Sequence, residues 1–222
     1  MSFTQTVKTE AHRLGFDFVG VTTPEPPASF PKYSDWVDAG HHGEMSYLAA
    51  DRALRRRADP YQILPECKSI LILGIRYHKP DPPSSSTRGH SMGQIAAYAW
   101  GEDYHNVIPE LLEKLISFME KESGNSVPNR WYTDTGPVLE RDLAQRAGLG
   151  WIGKNSMLIN PLAGSYFFLA EVLLGVDLDV DPPFTADHCG TCTRCIQACP
   201  TNCILPERTK TGRDQLLIDS HV

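Results

Sequence analysis

The run Cys189, Cys192, Cys195, Cys199, Pro200, spelled CGTCTRCIQACP, constrains this chain more than any other feature. Three thiolates at i, i+3 and i+6 can wrap one face of a 4Fe-4S cube, while the fourth cysteine, followed by proline, leaves to ligate a second cube. The spacing therefore predicts single-electron chemistry. Zinc prefers two separated C-x2-C pairs or Cys/His mixtures, and disulfide frameworks belong to short secreted chains, so neither alternative matches the run well. The ligand arithmetic does not close within the sequence, because the first three cysteines lack a fourth partner and Cys199 stands alone. Cys67 and Cys203 are the other thiols, and each reads as a small core residue rather than a ligand. No second C-x2-C run follows before Val222, so the chain reads as a truncated one.

A length of 222 residues allows one or two domains, and 41% hydrophobic residues suffice for a core. The net charge of -6 argues against a surface that grips nucleic acid throughout. A local basic rim stays open, but the densest basic run, Arg52, Arg55, Arg56 and Arg57, is more often explained as a solvated helix face. No secretory signal opens the chain and no apolar stretch could span a membrane. Reduced thiols and oxygen-sensitive clusters point to the cytoplasm, and a monomer is expected.

Apolar spacing predicts a helix through Phe3, Val7, Ala11 and Leu14 that stops at Gly15, then a strand over 16–21. A mixed segment through Trp36 and Met45 to Leu48 reads as helical and leads through the arginines to Asp59 and Pro60. The continuous β-branched run 69–75 suits a strand covered on both faces. Residues 80–93, rich in Pro, Ser and Gly, read as a surface loop. Ile108, Leu111, Leu112, Leu115, Ile116 and Met119 form one stripe of a helix ending near Gly124. A short strand over 130–133, a helix over 138–147 with Pro137 in its first turn, and strands over 151–160 and 165–174 complete the body. The expected fold class is α/β, a mixed-sheet body over 1–178, with a linker at 179–183 opening an incomplete ferredoxin-like iron-sulfur module over 179–222.

Gly148, Gly150 and Gly153 match G-x-G-x-x-G, but they follow a helix and lead into a strand, which is the wrong context for a dinucleotide. Asp134, between a strand end and a helix start, reads either as a turn or capping aspartate or as a carboxylic acid at a pocket mouth. In the second reading, partial burial raises its pKa so that it can deliver a proton near neutral pH. No histidine is clearly placed as a metal ligand; His41, His42, His78, His105 and His188 read as surface or satisfied core residues.

The stretch from Asp134 to Arg141, the segment 148–156, the segment 164–171 and the cysteine run together resemble epoxyqueuosine reductase. Arg57-Ala58-Asp59-Pro60 and the segment from Tyr98 to His105 add to the resemblance, which covers almost the whole chain. It implies an oxidoreductase for the last step of queuosine synthesis on tRNA. Cobalamin would lie between the body and the ferredoxin-like module, and an external donor would feed two 4Fe-4S clusters in the complete family member. The substrate would be tRNA bearing epoxyqueuosine at the anticodon wobble position, and Asp134 would be the acid. Arg57, Tyr98, Asp134, Lys154, Asn155, Ser156, Met157 and Leu158 would border the corrin ring. Their plainer readings are turn residues for Lys154 and Asn155, a core residue for Tyr98 and a salt-bridge partner for Arg57. The family continues past Val222, so a truncated chain would be inactive or hold cobalamin weakly. Two other readings are an electron-carrier module and a corrinoid-dependent reductase of a small molecule.

Overall fold

The computed structural model describes residues 1–77 and 95–204. The expected surface loop over 80–93 and His78 lie outside the described residues. Strands β1 (Phe18–Thr22), β2 (Ser69–Arg76), β3 (Asn129–Tyr132) and β6 (Phe167–Leu174) form one sheet in the order β1-β2-β6-β3. Every pairing is antiparallel, which corrects the expected mixed sheet. Each neighbouring strand arrives after a long excursion through helices or through the hairpin of β4 (Trp151–Ile152) and β5 (Leu158–Ile159).

The β-branched run in β2 is buried on both faces, as its composition demands. Strand residues alternate, so Leu71 and Leu73 enter one core while Ile70 and Ile72 enter the other. The first core joins Val7 and Ala11 of α1 (Phe3–Leu14) to Ile108, Leu112, Leu115 and Met119 of α4 (Tyr104–Ser123). The second joins Leu143 and Ala144 of α5 (Glu140–Arg146) to Leu149, Leu158 and the buried Cys67. Burial pushes the Cys67 thiol up to about 11, as suits an inert core residue. Gly20 is required where α5 crosses the sheet, because a Cβ there would lie 2.2 Å from the Ala147 carbonyl oxygen.

Local chemistry sets the ends of α1 and α4. Ser2 caps α1 by accepting from the Gln5 N–H, and Gly15 ends the helix in the left-handed conformation at φ 109°. Asp103 caps α4 by accepting from the His105 N–H, and Gly124 ends that helix at φ 68°. Three expectations change. The helical stretch before Asp59 splits into α2 (Phe30–Asp38), a single 3-10 turn at Ser46–Leu48 and α3 (Asp51–Ala58), because Gly40 and Gly43 take positive φ between them. The helix expected from Val138 starts at Glu140, since Val138 is drawn into the second core. The single strand expected over 151–160 is the β4–β5 hairpin, closed by the Gly153 N–H to Met157 carbonyl bond.

The segment 179–184 is tied to the body. The Asp181 carboxylate accepts from the Val21 N–H at 2.7 Å and pairs with Lys8, and the Phe184 N–H donates to the Gln145 carbonyl. The cysteine run then follows as turns and a short helix, α6 (Arg194–Ala198).

Candidate functional site

A cleft of about 480 Å³ opens between α2, α3 and the start of α5. Tyr33, Trp36, Leu48, Val138 and Leu139 make it largely apolar, and Arg57, Asp134, Glu140 and Ser156 converge on it as polar groups. Such a mixture suits a large ligand with flat apolar surface and a polar fringe. The Arg57 guanidinium lies over the Tyr33 ring at 5.3 Å, and its Nη1 is buried without a hydrogen-bond partner. A buried N–H in that state costs free energy unless a ligand acceptor meets it.

Asp134 sits on the turn that follows β3, in the left-handed region at φ 60°. Non-glycine residues adopt this conformation when the surroundings over-determine it, and here they do. Thr133 Oγ1 donates to the Leu169 carbonyl at 2.9 Å, while the Thr135 N–H folds back to the Thr133 carbonyl at 2.6 Å. Gly136 packs against the Tyr132 ring so closely that a Cβ would lie 2.5 Å from it. The Tyr104 hydroxyl donates to Asp134 Oδ2 at 2.9 Å, and His105 Nε2 stands 3.8 Å from the same oxygen. With its side chain 66% accessible, Asp134 is exposed at the cleft mouth rather than partly buried as expected.

Tyr104 is held by an aromatic column. It stacks on Phe168 with centroids 4.1 Å apart, and Phe168 meets Tyr77 at 4.7 Å. Burial first, then the neighbouring Asp134 carboxylate, push the Tyr104 hydroxyl well above its ordinary pKa, so it remains a donor. Behind Asp134 lie two carboxyl groups that the sequence reading missed. Glu140 is pushed up to about 7 by burial and by Asp134, and its carboxylate accepts from the Asp134 backbone N–H. Glu171, in the middle of β6, is fully buried with neither oxygen hydrogen-bonded, and burial drives its acidity well below that of an ordinary carboxyl. A charged residue inside an otherwise apolar strand run was the available signal.

The remaining candidates separate. Ser156 lines the cleft, and Arg141 Nη1 donates to its carbonyl at 3.0 Å. Asn155 caps its own turn by accepting from the Met157 N–H, and Met157 is partly exposed. Leu158 is 3% exposed and belongs to the second core, which corrects its expected place on the rim. Tyr98 is 56% exposed on a 3-10 turn rather than in the core. Lys154 does not line the cleft; its Nζ donates to the carbonyls of Gly190 and Cys192 in the cysteine run.

Cys189, Cys192, Cys195 and Cys199 are free thiols. The Cys192 N–H to Cys189 carbonyl bond turns the chain, and Cys195 follows on α6. Among the described residues, no three His, Cys, Asp or Glu side chains are gathered as around a single metal ion. Soft, unpaired thiols three residues apart nonetheless form a donor set chemically suited to an iron-sulfur cube. Cys203 stands with its sulfur 3.4 Å from that of Cys199, and not in the core. Hydrogen bonds from Thr201 and Cys203 lower the Cys199 thiol to about 6. His188 packs on Trp151 at 4.8 Å beside this run.

Comparison with known proteins gives these features a context. A family model described as epoxyqueuosine reductase QueG, DUF1730, matches residues 57–135. An epoxyqueuosine reductase from Cyclobacterium marinum is 41% identical over 212 residues, covering 94% of this chain and 66% of that protein. The chain spans between about half and two thirds of the length of the curated relatives it matches. A crystal structure of an epoxyqueuosine reductase with an epoxyqueuosine-modified tRNA-Tyr stem loop superimposes with a TM-score of 0.79 at 32% identity, covering 90% of this chain and 52% of that one. A reductive dehalogenase, described in connection with B12-dependent dehalogenation, shares the fold at a TM-score of 0.50 and 17% identity, covering 82% of this chain and 21% of that one.

Proposed function

Because this chain belongs to the epoxyqueuosine reductase family, we propose that it carries the chemistry by which the epoxide of epoxyqueuosine in tRNA is reduced to queuosine. The observation that carries this reading is Asp134, an exposed carboxyl group fixed on a strained turn at the mouth of the cleft and held by the Tyr104 hydroxyl. Opening a C–O bond creates an oxyanion, and an acid positioned by an over-determined backbone delivers a proton without reorganising. The related protein whose structure contains a modified tRNA stem loop supports tRNA as the substrate.

The cleft fits cobalamin in kind, with aromatic walls and a buried Arg57 N–H that a corrin carboxamide would satisfy. Bound cobalamin would supply a low-potential cobalt able to attack the epoxide carbon. Arg57 and Ser156 would hold the ring, with Tyr98, Asn155 and Met157 at its outer edge. Cys189, Cys192, Cys195 and Cys199 would ligate 4Fe-4S clusters fed by an external donor. Lys154 would act on the cluster loop through its two carbonyl contacts. In this reading residues 1–178 form the catalytic body and 179–222 the cluster-bearing part of a cytoplasmic monomer.

The test is anaerobic reconstitution of the protein with iron and sulfide, addition of cobalamin, and then of tRNA carrying epoxyqueuosine. Expected are a corrinoid spectrum that changes on reduction and conversion of the modified base. Uptake of iron without any corrinoid would leave an electron carrier instead, and corrinoid binding without action on tRNA would leave a small-molecule reductase.

A further inference from the structure

Reduction of an epoxide to an alkene breaks two C–O bonds and forms two O–H bonds, so the oxygen leaves as water only if two protons and two electrons arrive. If the proposed function holds, the electrons come one at a time from the external donor through the iron-sulfur clusters. In the same reading Asp134 delivers one of the two protons. The second must reach the same oxygen from elsewhere, and the groups behind Asp134 are placed to provide it.

Glu171 pairs with Ile72 on one side and Tyr132 on the other, two residues before Asp134. Its position has the parity of Phe167 and Leu173, so its side chain enters the second core, under the turn that carries Asp134 and the start of α5. Neither carboxyl oxygen finds a partner. A fully buried carboxylate without a hydrogen bond is far too costly to persist, whereas a protonated carboxyl group is tolerable. Glu140 lies close enough for its charge to act on this buried group, and it also lines the cleft and takes the Asp134 backbone N–H.

We propose that Glu171 and Glu140 together store a proton that reloads Asp134 for the second protonation of the leaving oxygen. The proton passes from the pair to the Asp134 carboxylate after its first donation, and the pair is refilled from solvent through Glu140, which keeps some accessible surface. Three charged groups face the pair. Asp134 disfavours its ionisation, and Arg141 of α5 and Arg57 of α3 favour the charged form of Glu140. Glu140 and Glu171 act through Asp134 and are positioning residues.

The deciding experiment has a spectroscopic and a kinetic arm. Infrared titration of the protein labelled with carbon-13 glutamate should show a protonated carboxyl band that survives at neutral pH and disappears in Glu171→Gln. A wild-type protein without such a band above pH 6 overturns the inference, whatever the activity. In the reconstituted enzyme, Glu171→Gln and the separate Glu140→Gln should lower kcat about 10-fold at pH 8 with KM unchanged, and less at pH 6. Wild-type kcat in both variants across this range also overturns it. A wild-type enzyme that leaves epoxyqueuosine untouched would reject the proposed function and the relay, while the infrared arm would still decide whether the pair stores a proton.

Discussion

The ammonium of Lys154, on the β4–β5 turn, donates to the Gly190 carbonyl at 2.6 Å and to the Cys192 carbonyl at 3.1 Å. Charge-assisted bonds of this kind contribute on the order of 1 kcal/mol when partly exposed. They hold the cysteine run against the body at its second thiol. Lys154→Met should leave the thermal unfolding of the body almost unchanged, but reduce iron incorporated on anaerobic reconstitution and speed proteolysis within 185–200. Iron loading and cleavage equal to wild type would show that the contact does not shape the loop.

The Tyr104 hydroxyl is the donor to Asp134, and the aromatic column beneath fixes its position. Tyr104→Phe keeps the ring stack and removes one bond to the proposed acid. It should lower kcat about 10-fold on epoxyqueuosine tRNA, corresponding to roughly 1.4 kcal/mol of transition-state stabilisation, while corrinoid binding is retained. Unchanged turnover would mean that Asp134 needs no hydroxyl to hold it.

Much of this organisation was legible in the residues because it rests on periodicity and on local chemistry. The stripe of α4, its Gly124 stop and the doubly buried β2 follow from apolar spacing and a left-handed cap. What escaped depends on contacts between residues distant in sequence. The antiparallel sense of the sheet is set by which strands meet, and no run of residues encodes that locally. Val138 looks like the first turn of a helix until the second core claims it. Asp134 and Arg57, picked out in the sequence, both line the cleft, whereas Tyr104, His105, Glu140 and Glu171 gain meaning only when α4, α5 and β6 bring them to one turn. Lys154, expected within a strand and on the corrin rim, sits on the β4–β5 turn and faces the cysteine run.

Asp181 fixes the passage from body to cysteine run, accepting from the Val21 N–H at 2.7 Å and from Lys8. Replacing it with alanine leaves a strand-end N–H and a part-buried ammonium without their acceptor. Asp181→Ala should cost about 2 kcal/mol in urea unfolding, within the range for a lost acceptor of this kind. The double change Lys8→Met with Asp181→Ala should cost less than the sum of the single changes, since neither charge is then left alone. Strict additivity would show that the pair is not coupled.

The buried carboxyl groups also give stability a pH dependence of known sign. Burial raises Glu140 to about 7 and raises Glu171 as well, so between the ordinary carboxyl range and neutrality the folded state binds more protons than the unfolded chain. Stability then falls as pH rises, because unfolding releases those protons. For these two groups the folded state is favoured fully below about pH 4.5 and loses that advantage through pH 7 and above. Glu171→Gln removes the group with the largest burial cost and also relieves Glu140 of a neighbouring carboxyl. The variant should unfold at higher urea than wild type at pH 8, by on the order of 1–3 kcal/mol, and the gap should shrink at pH 5. A constant difference at both pH values would mean that Glu171 is ionised, or protonated, equally in the folded and unfolded chain.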